Sequence, residues 1–110
     1  MKTIVNSTKV IMVRVYVIKP PKLTRQIIEA LEHKIQIRGL SIFNVIRGYG
    51  NSGEHYLSIL DGRWDLPIVI EFFDSEEKAK EAIEYLNGVV NPEHIVFWEA
   101  YANLPNSKKF

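Results

Sequence analysis

Two stretches of helical periodicity, each held between runs rich in β-branched residues, constrain this chain more than any other feature. Residues 10–18 carry four valines and two isoleucines and stop at Pro20 and Pro21, which reads as a strand. From Lys22 the period changes. Leu23, Ile27, Leu31 and Ile35 recur every fourth residue, with charged side chains elsewhere around the wheel and Gly39 as the stop, so this stretch is read as an amphipathic helix. Residues 41–47 read as a second strand and residues 67–73 as a third, with Pro67 at its start, where strands tolerate proline. Asp74 and Glu77 have the spacing of a helix capping box, and Ala79, Ala82, Ile83, Leu86 and Val90 form the stripe of a second helix. Residues 94–101 close the pattern as a fourth strand.

The order strand, helix, strand, strand, helix, strand predicts an α+β, ferredoxin-like βαββαβ sandwich. In it an antiparallel four-stranded sheet carries both helices on one face. A length of 110 residues suits one domain. Residues 1–9 are read as an N-terminal tail or minor edge strand, 10–102 as the domain and 103–110 as a C-terminal tail.

Both faces of this sheet are apolar, although helices cover only one. Strand one sets Ile11, Val13, Val15 and Val17 against Val10, Met12, Tyr16 and Ile18; strand four sets Ile95, Phe97 and Tyr101 against Val96, Trp98 and Ala100. A second apolar face implies self-association through the sheets, the alternative being cover by a loop or tail.

Composition removes several classes of function. The 14 basic and 13 acidic side chains nearly cancel, which leaves no electrostatic footprint for strong nucleic-acid binding. There is no cysteine, hence no disulfide, thiolate metal site or cysteine nucleophile. No signal-peptide pattern follows Lys2, and the apolar run interrupted by Arg14 is too short to span a bilayer, so a cytoplasmic protein is expected.

The densest cluster of special residues is Arg47, Gly48, Tyr49, Gly50, Asn51, Ser52, Gly53, Glu54 and His55. Glycines let a backbone approach a ligand, consecutive N–H groups form anion-binding concavities, and Arg47 adds a bidentate contact to phosphate or carboxylate. The competing reading is a hairpin tip. Gly48, Gly50 and Gly53 match G-x-G-x-x-G, but that motif must open a helix after a parallel strand, and residues 54–59 look extended. Arg47–Gly50 also imitates the start of an RNA-binding segment without the aromatics that follow it there. His33 and His94 read as solvated or edge residues, whereas His55 is a candidate ligand contact. Three isolated histidines lack zinc spacing, so no metal is expected. Asp61, Asp65 and Glu71 form no evident acid–base pair, and Trp64 and Trp98 read as pocket lining or as core and interface packing. No catalytic residue is assigned; an enzyme using a pocket of Trp64, Trp98 and His55 stands as the alternative, beside a purely structural interaction module.

Residues 45–50, the following Gly53 and His55, and then residues 65–71 resemble the PII-like group known as domain-of-unknown-function family 190. The resemblance runs from about Val10 to Tyr101. It implies a homo-oligomer, a trimer with its sheets facing inward, which acts as a non-catalytic signalling protein. It further implies an adenine nucleotide bound in clefts between subunits, and a partner such as a membrane transporter or an enzyme. By position, Gly48 and Gly50 form the loop base with Arg47 at the strand end, Asn51, Ser52, Gly53 and His55 belong to the part that orders around ligand or partner, and Tyr49 joins them as a ligand-binding candidate. Signalling PII proteins carry a glycine- and lysine-containing phosphate loop before the last strand. Residues 87–93 offer one glycine and no lysine, which leaves a nucleotide of fewer charges, another small anion or no ligand as the alternatives.

Overall fold

The computed structural model describes residues 6–17, 21–45, 47–50, 53–56 and 68–104; for 47–50 and 53–56 it describes the backbone and its pairing. Strand β1 (Ser7–Val17) leads to helix α1 (Pro21–Glu29), which continues without a break as a π-helical turn (Ala30–Ile35). Then come β2 (Leu40–Asn44), β3 (Arg47–Gly50), β4 (Gly53–Tyr56), β5 (Ile68–Asp74), helix α2 (Glu76–Asn87), a 3₁₀ turn (Pro92–His94) and β6 (Ile95–Asn103). The main sheet has the order β2-β5-β1-β6 with every neighbouring pair antiparallel, the ferredoxin-like arrangement.

The core lies where the helices cover this sheet. Val13, Val15 and Val17 of β1 and Ile70 and Phe72 of β5 alternate inward and meet Ile27, Leu31 and Ile35 of the first helix and Ala79, Ala82 and Leu86 of the second. The small alanines let α2 lie close to the strands.

Several boundaries differ from the sequence expectation. Strand β1 starts at Ser7 rather than Val10, because Ser7, Thr8 and Lys9 pair with Asn103, Ala102 and Tyr101 of β6. That pairing also draws Asn103 out of the expected tail. The first helix ends at Ile35, well before Gly39. Its stop is Gln36, which takes the left-handed conformation (φ 63°) and donates its N–H to the Leu31 carbonyl, while Lys78 Nζ donates to the Ile35 carbonyl at 2.6 Å. The widened turn followed by a left-handed residue buries both Ile35 and Ile37.

The expected capping box is also displaced by one residue. Ser75, not Asp74, is the N-cap of α2, its hydroxyl accepting from the Lys78 N–H at 3.2 Å. Asp74 instead turns to the sheet end, where its carboxylate accepts the backbone N–H groups of Arg38 (3.0 Å) and Ser75 (2.7 Å). The second strand ends at Asn44 instead of running to Arg47, and the next residues form a separate hairpin.

Candidate functional site

The glycine-bearing segment is that hairpin. Arg47 pairs with Tyr56, Gly48 with His55, Tyr49 with Glu54 and Gly50 with Gly53, so the segment expected as a loop is a two-stranded antiparallel arm. The fold thus gathers Arg47, Gly48, Tyr49, Gly50, Gly53 and His55 along one backbone ladder. Asn51 and Ser52 lie outside the described residues, as do Asp61, Trp64 and Asp65.

The arm leaves the sheet at a defined end. Asn44 pairs with Ile68, and Ile68 pairs with Val17, which places the hairpin base where β1 finishes. Helix α2 starts after β5 at the opposite end and finishes at this one, so the connection from α2 to β6 lies at the same end as the arm. That connection holds its backbone tightly. The N–H of Gly88 donates to the Tyr85 carbonyl, and those of Val89 and Val90 both donate to the Leu86 carbonyl, at 2.9–3.1 Å. Glu93 N–H goes to the Asn91 side chain and His94 N–H to the Asn91 carbonyl. A phosphate cradle needs convergent free N–H groups, and these are spent on the helix end.

The helix-free face of the sheet is the second feature. Tyr16, Phe43, Phe73, Val96 and Trp98 stand between 37% and 51% exposed on it, with Met12 among them. At its centre Arg14 and Glu71 are cross-strand partners, and both Nε and Nη2 of Arg14 lie 2.8 Å from Glu71 Oε2. Hydrogen bonding to Glu71 raises the Arg14 pKa. The guanidinium also lies 5.2 Å from the centre of the Trp98 ring. Glu71 is therefore committed to an ion pair across the β1–β5 ladder. Trp98 packs on an open sheet face rather than in a closed pocket. The lone Arg14 inside an apolar strand was the sequence signal for this pair; its partner became visible only with the β1–β5 register.

Sequence reasoning missed a cluster at the far end of the sheet. Arg38, whose guanidinium sits 3.8 Å from Asp74 and 5.6 Å from the Phe73 ring centre, borders an open hollow of about 520 Å³ with Met12, Ser41 and Phe73. His33 is exposed beside Glu32, as its charged neighbours suggested, and His94 closes the 3₁₀ turn rather than opening the strand. Among the described residues, no group of three or more histidine, aspartate or glutamate side chains is placed to hold a metal ion, and no helix is long and apolar enough to cross a membrane.

Comparison with known proteins agrees with this geometry. The model of domain-of-unknown-function family 190 (DUF190), described as "Uncharacterized ACR", matches residues 10–102. A UPF0166 protein of Aquifex aeolicus (strain VF5) is 40% identical over 58 residues, which cover 50% of this chain and 53% of that relative, so the match spans about half of its length. Among solved structures, CPII of Thiomonas intermedia K12, a nitrogen regulatory PII-like protein bound to ADP, AMP and bicarbonate, superposes with a TM-score of 0.72. It covers 92% of this chain and 94% of its own, at 14% identity. A putative PII-like signaling protein from Thermus thermophilus gives 0.57 at 17% identity, covering 88% and 89%. CutA1 from Oryza sativa gives 0.60 at 12% identity, covering 93% and 87%. At these identities the likeness is one of fold. With the family model matching residues 10–102 of 110, the chain belongs to the DUF190 family and has a PII-like fold.

Proposed function

We propose that this chain is a PII-like regulatory protein, not an enzyme, which binds an adenine nucleotide at clefts between subunits and passes the bound state to a partner protein. The observation that carries the reading is the placement of the arm. A hairpin bearing Arg47, Gly48, Gly50, Gly53 and His55 leaves the sheet directly after β2, in a fold shared with a PII-like protein bound to ADP and AMP. Arg47, Tyr49, Asn51, Ser52 and His55 supply the polar and aromatic groups for that ligand, and the glycines allow close backbone approach. The apolar helix-free face, on which Arg14 and Glu71 pair with each other, supports self-association, and in this reading the assembly is a cytoplasmic homotrimer. A membrane transporter or an enzyme is the partner in this reading.

The spent N–H groups of residues 88–90 favour a nucleotide of few phosphates over a triphosphate. Calorimetric titration with AMP, ADP, ATP and cyclic AMP tests the proposal. AMP or ADP is expected to bind more tightly than ATP, and Arg47→Ala to weaken that binding. No heat from any of the four at millimolar concentration overturns it.

A further inference from the structure

The first helix ends in a conformation that glutamine does not favour. From Glu29 it passes into the π turn Ala30–Ile35, and Gln36 follows at φ 63°, the one positive φ of a non-glycine among the described residues. The cause lies in Lys34. In a continued α-helix residue 34 would stand about 20° from Ile27 around the axis, whereas residue 35 would stand about 80° away. Lys34 would then line up with the buried Ile27 and Leu31, and Ile35 would fall to the margin of their stripe. The wider π turn exchanges these places: Lys34 is exposed and Ile35 is buried.

Two contacts from distant elements hold the turn, and each occupies a group that an α-helix would use itself. Lys78 Nζ of α2 donates to the Ile35 carbonyl, which in a continued α-helix accepts from the Gly39 N–H. The Asp74 carboxylate at the end of β5 accepts the Arg38 N–H, which in a continued α-helix donates to the Lys34 carbonyl. The Leu31 carbonyl is likewise diverted, accepting from the N–H groups of Gln36 and Ile37. Among the described residues the Gly39 N–H has no acceptor. Local signals pull the other way, because Gly39 is the stop that the helical pattern itself supplies.

We propose that residues 30–39 are a two-state element: a π form held by Lys78 and Asp74, and an α form in which the helix runs on to Gly39. Conversion to the α form breaks both clamps, turns Lys34 into line with Leu31 and withdraws Ile37 from the core. The exchange reaches β2. With Gly39 in the helix, Leu40 has to reverse the chain, and its pairing with Phe72 at the start of β2 is lost. The other end of that strand is the base of the arm, so the helix end sets how much of the strand carrying the arm is paired.

NMR of the whole chain tests this without any ligand, so the outcome of the nucleotide titration leaves it unaffected. Lys34→Leu removes the charge that the α form would turn inward, and Lys78→Met removes the clamp on the Ile35 carbonyl. In the double variant, residues 36–38 are expected to take helical Cα shifts and the Leu40–Phe72 cross-strand Overhauser contact to weaken. The Gly39 amide, newly bonded to Ile35, is expected to exchange at least about tenfold more slowly than in wild type. Adding Gln36→Gly, which suits the left-handed backbone and disfavours the helix, is expected to restore the wild-type pattern. Wild-type shifts and Gly39 exchange in the double variant overturn the two-state element, and so does a helical pattern that Gln36→Gly fails to reverse. Helical shifts with the Leu40–Phe72 contact intact overturn the link to β2. Slow exchange of the Val13 and Ile70 amides in the central strands shows that the core is folded. Should the double variant lose it, Lys78→Met alone carries the same test with a smaller shift.

Discussion

Asp74 offers the sharpest energetic test of how the two halves of the fold are joined. Its carboxylate lies at the end of β5, is 8% exposed, and accepts two backbone N–H groups from different elements, Arg38 at 3.0 Å and Ser75 at 2.7 Å. The Arg38 guanidinium is 3.8 Å away and mostly exposed, which makes it a screened and minor contributor. Asp74→Ala leaves both N–H groups without an acceptor. At about 1–3 kcal/mol for each unsatisfied donor, the loss is roughly 2–6 kcal/mol. Asp74→Asn keeps one acceptor oxygen and turns an amide N–H₂ toward the other donor, so its loss falls between wild type and alanine. Arg38→Ala preserves its own backbone N–H and is expected to cost less than about 1 kcal/mol. Urea unfolding followed by circular dichroism, at one fixed protein concentration, reads all three. With an m value of about 2 kcal/mol/M, a 3 kcal/mol loss moves the midpoint by about 1.5 M. The reasoning fails if Asp74→Ala stays within about 0.5 kcal/mol of wild type, the range of an ordinary surface change. It also fails if Arg38→Ala is as damaging as Asp74→Ala, since the ion pair would then be the contact that matters.

Three further outcomes follow from the same contacts. Ser75→Ala removes the hydroxyl that caps α2 and should lower stability by about 1 kcal/mol in the same assay. Ile70→Ala, fully buried in the core, should cost about 2–5 kcal/mol, whereas Ile42→Ala at the exposed position paired with it should cost far less in a subunit kept monomeric by dilution. Lys9 bridges Glu76 of α2 at 3.1 Å and Glu99 of β6 at 3.8 Å, and the Glu76 hydrogen bond followed by the two carboxylate charges holds its pKa above the ordinary value. A folded value above the unfolded one stabilises at pH below the unfolded value, and the contribution disappears as pH rises through the folded value. Stability should thus fall on the alkaline side in wild type, and Lys9→Met should flatten that limb of a midpoint-versus-pH curve.

The fold was legible because its signals are periodic. Val13, Val15 and Val17 alternate, Leu23 to Ile35 repeats every fourth residue, and the order of elements leaves few topologies. What escaped were local choices between near-equal partners. Asp74 and Ser75 are both good caps, and Asp74 was drawn away by the Arg38 N–H, a residue 36 positions distant that no local spacing reveals. Gly39 looked like the helix stop, yet the π turn brought the end four residues forward and placed Gln36 in the conformation glycine prefers. The site was legible only in part. Residue types marked Gly48 to Gly53, but not their pairing, because three glycines suit a loop at least as well as a ladder. The ion pair of Arg14 with Glu71 depends on sheet register, and a single sequence carries no record of that.

The pairing of β3 with β4 has a consequence for the regulatory role proposed above. The arm is a two-stranded sheet of four ladder pairs, two of which contain glycine, one of these being Gly50 with Gly53, and an isolated two-stranded ribbon is marginal in water. The free energy of zipping the arm is therefore small, and it enters every binding equilibrium the arm takes part in. Whatever binds the zipped form donates part of its affinity to closing the ladder, and whatever needs the open form competes with it through that same equilibrium. Two ligands that never touch would become antagonists by this route, with a coupling no larger than the cost of opening four pairs.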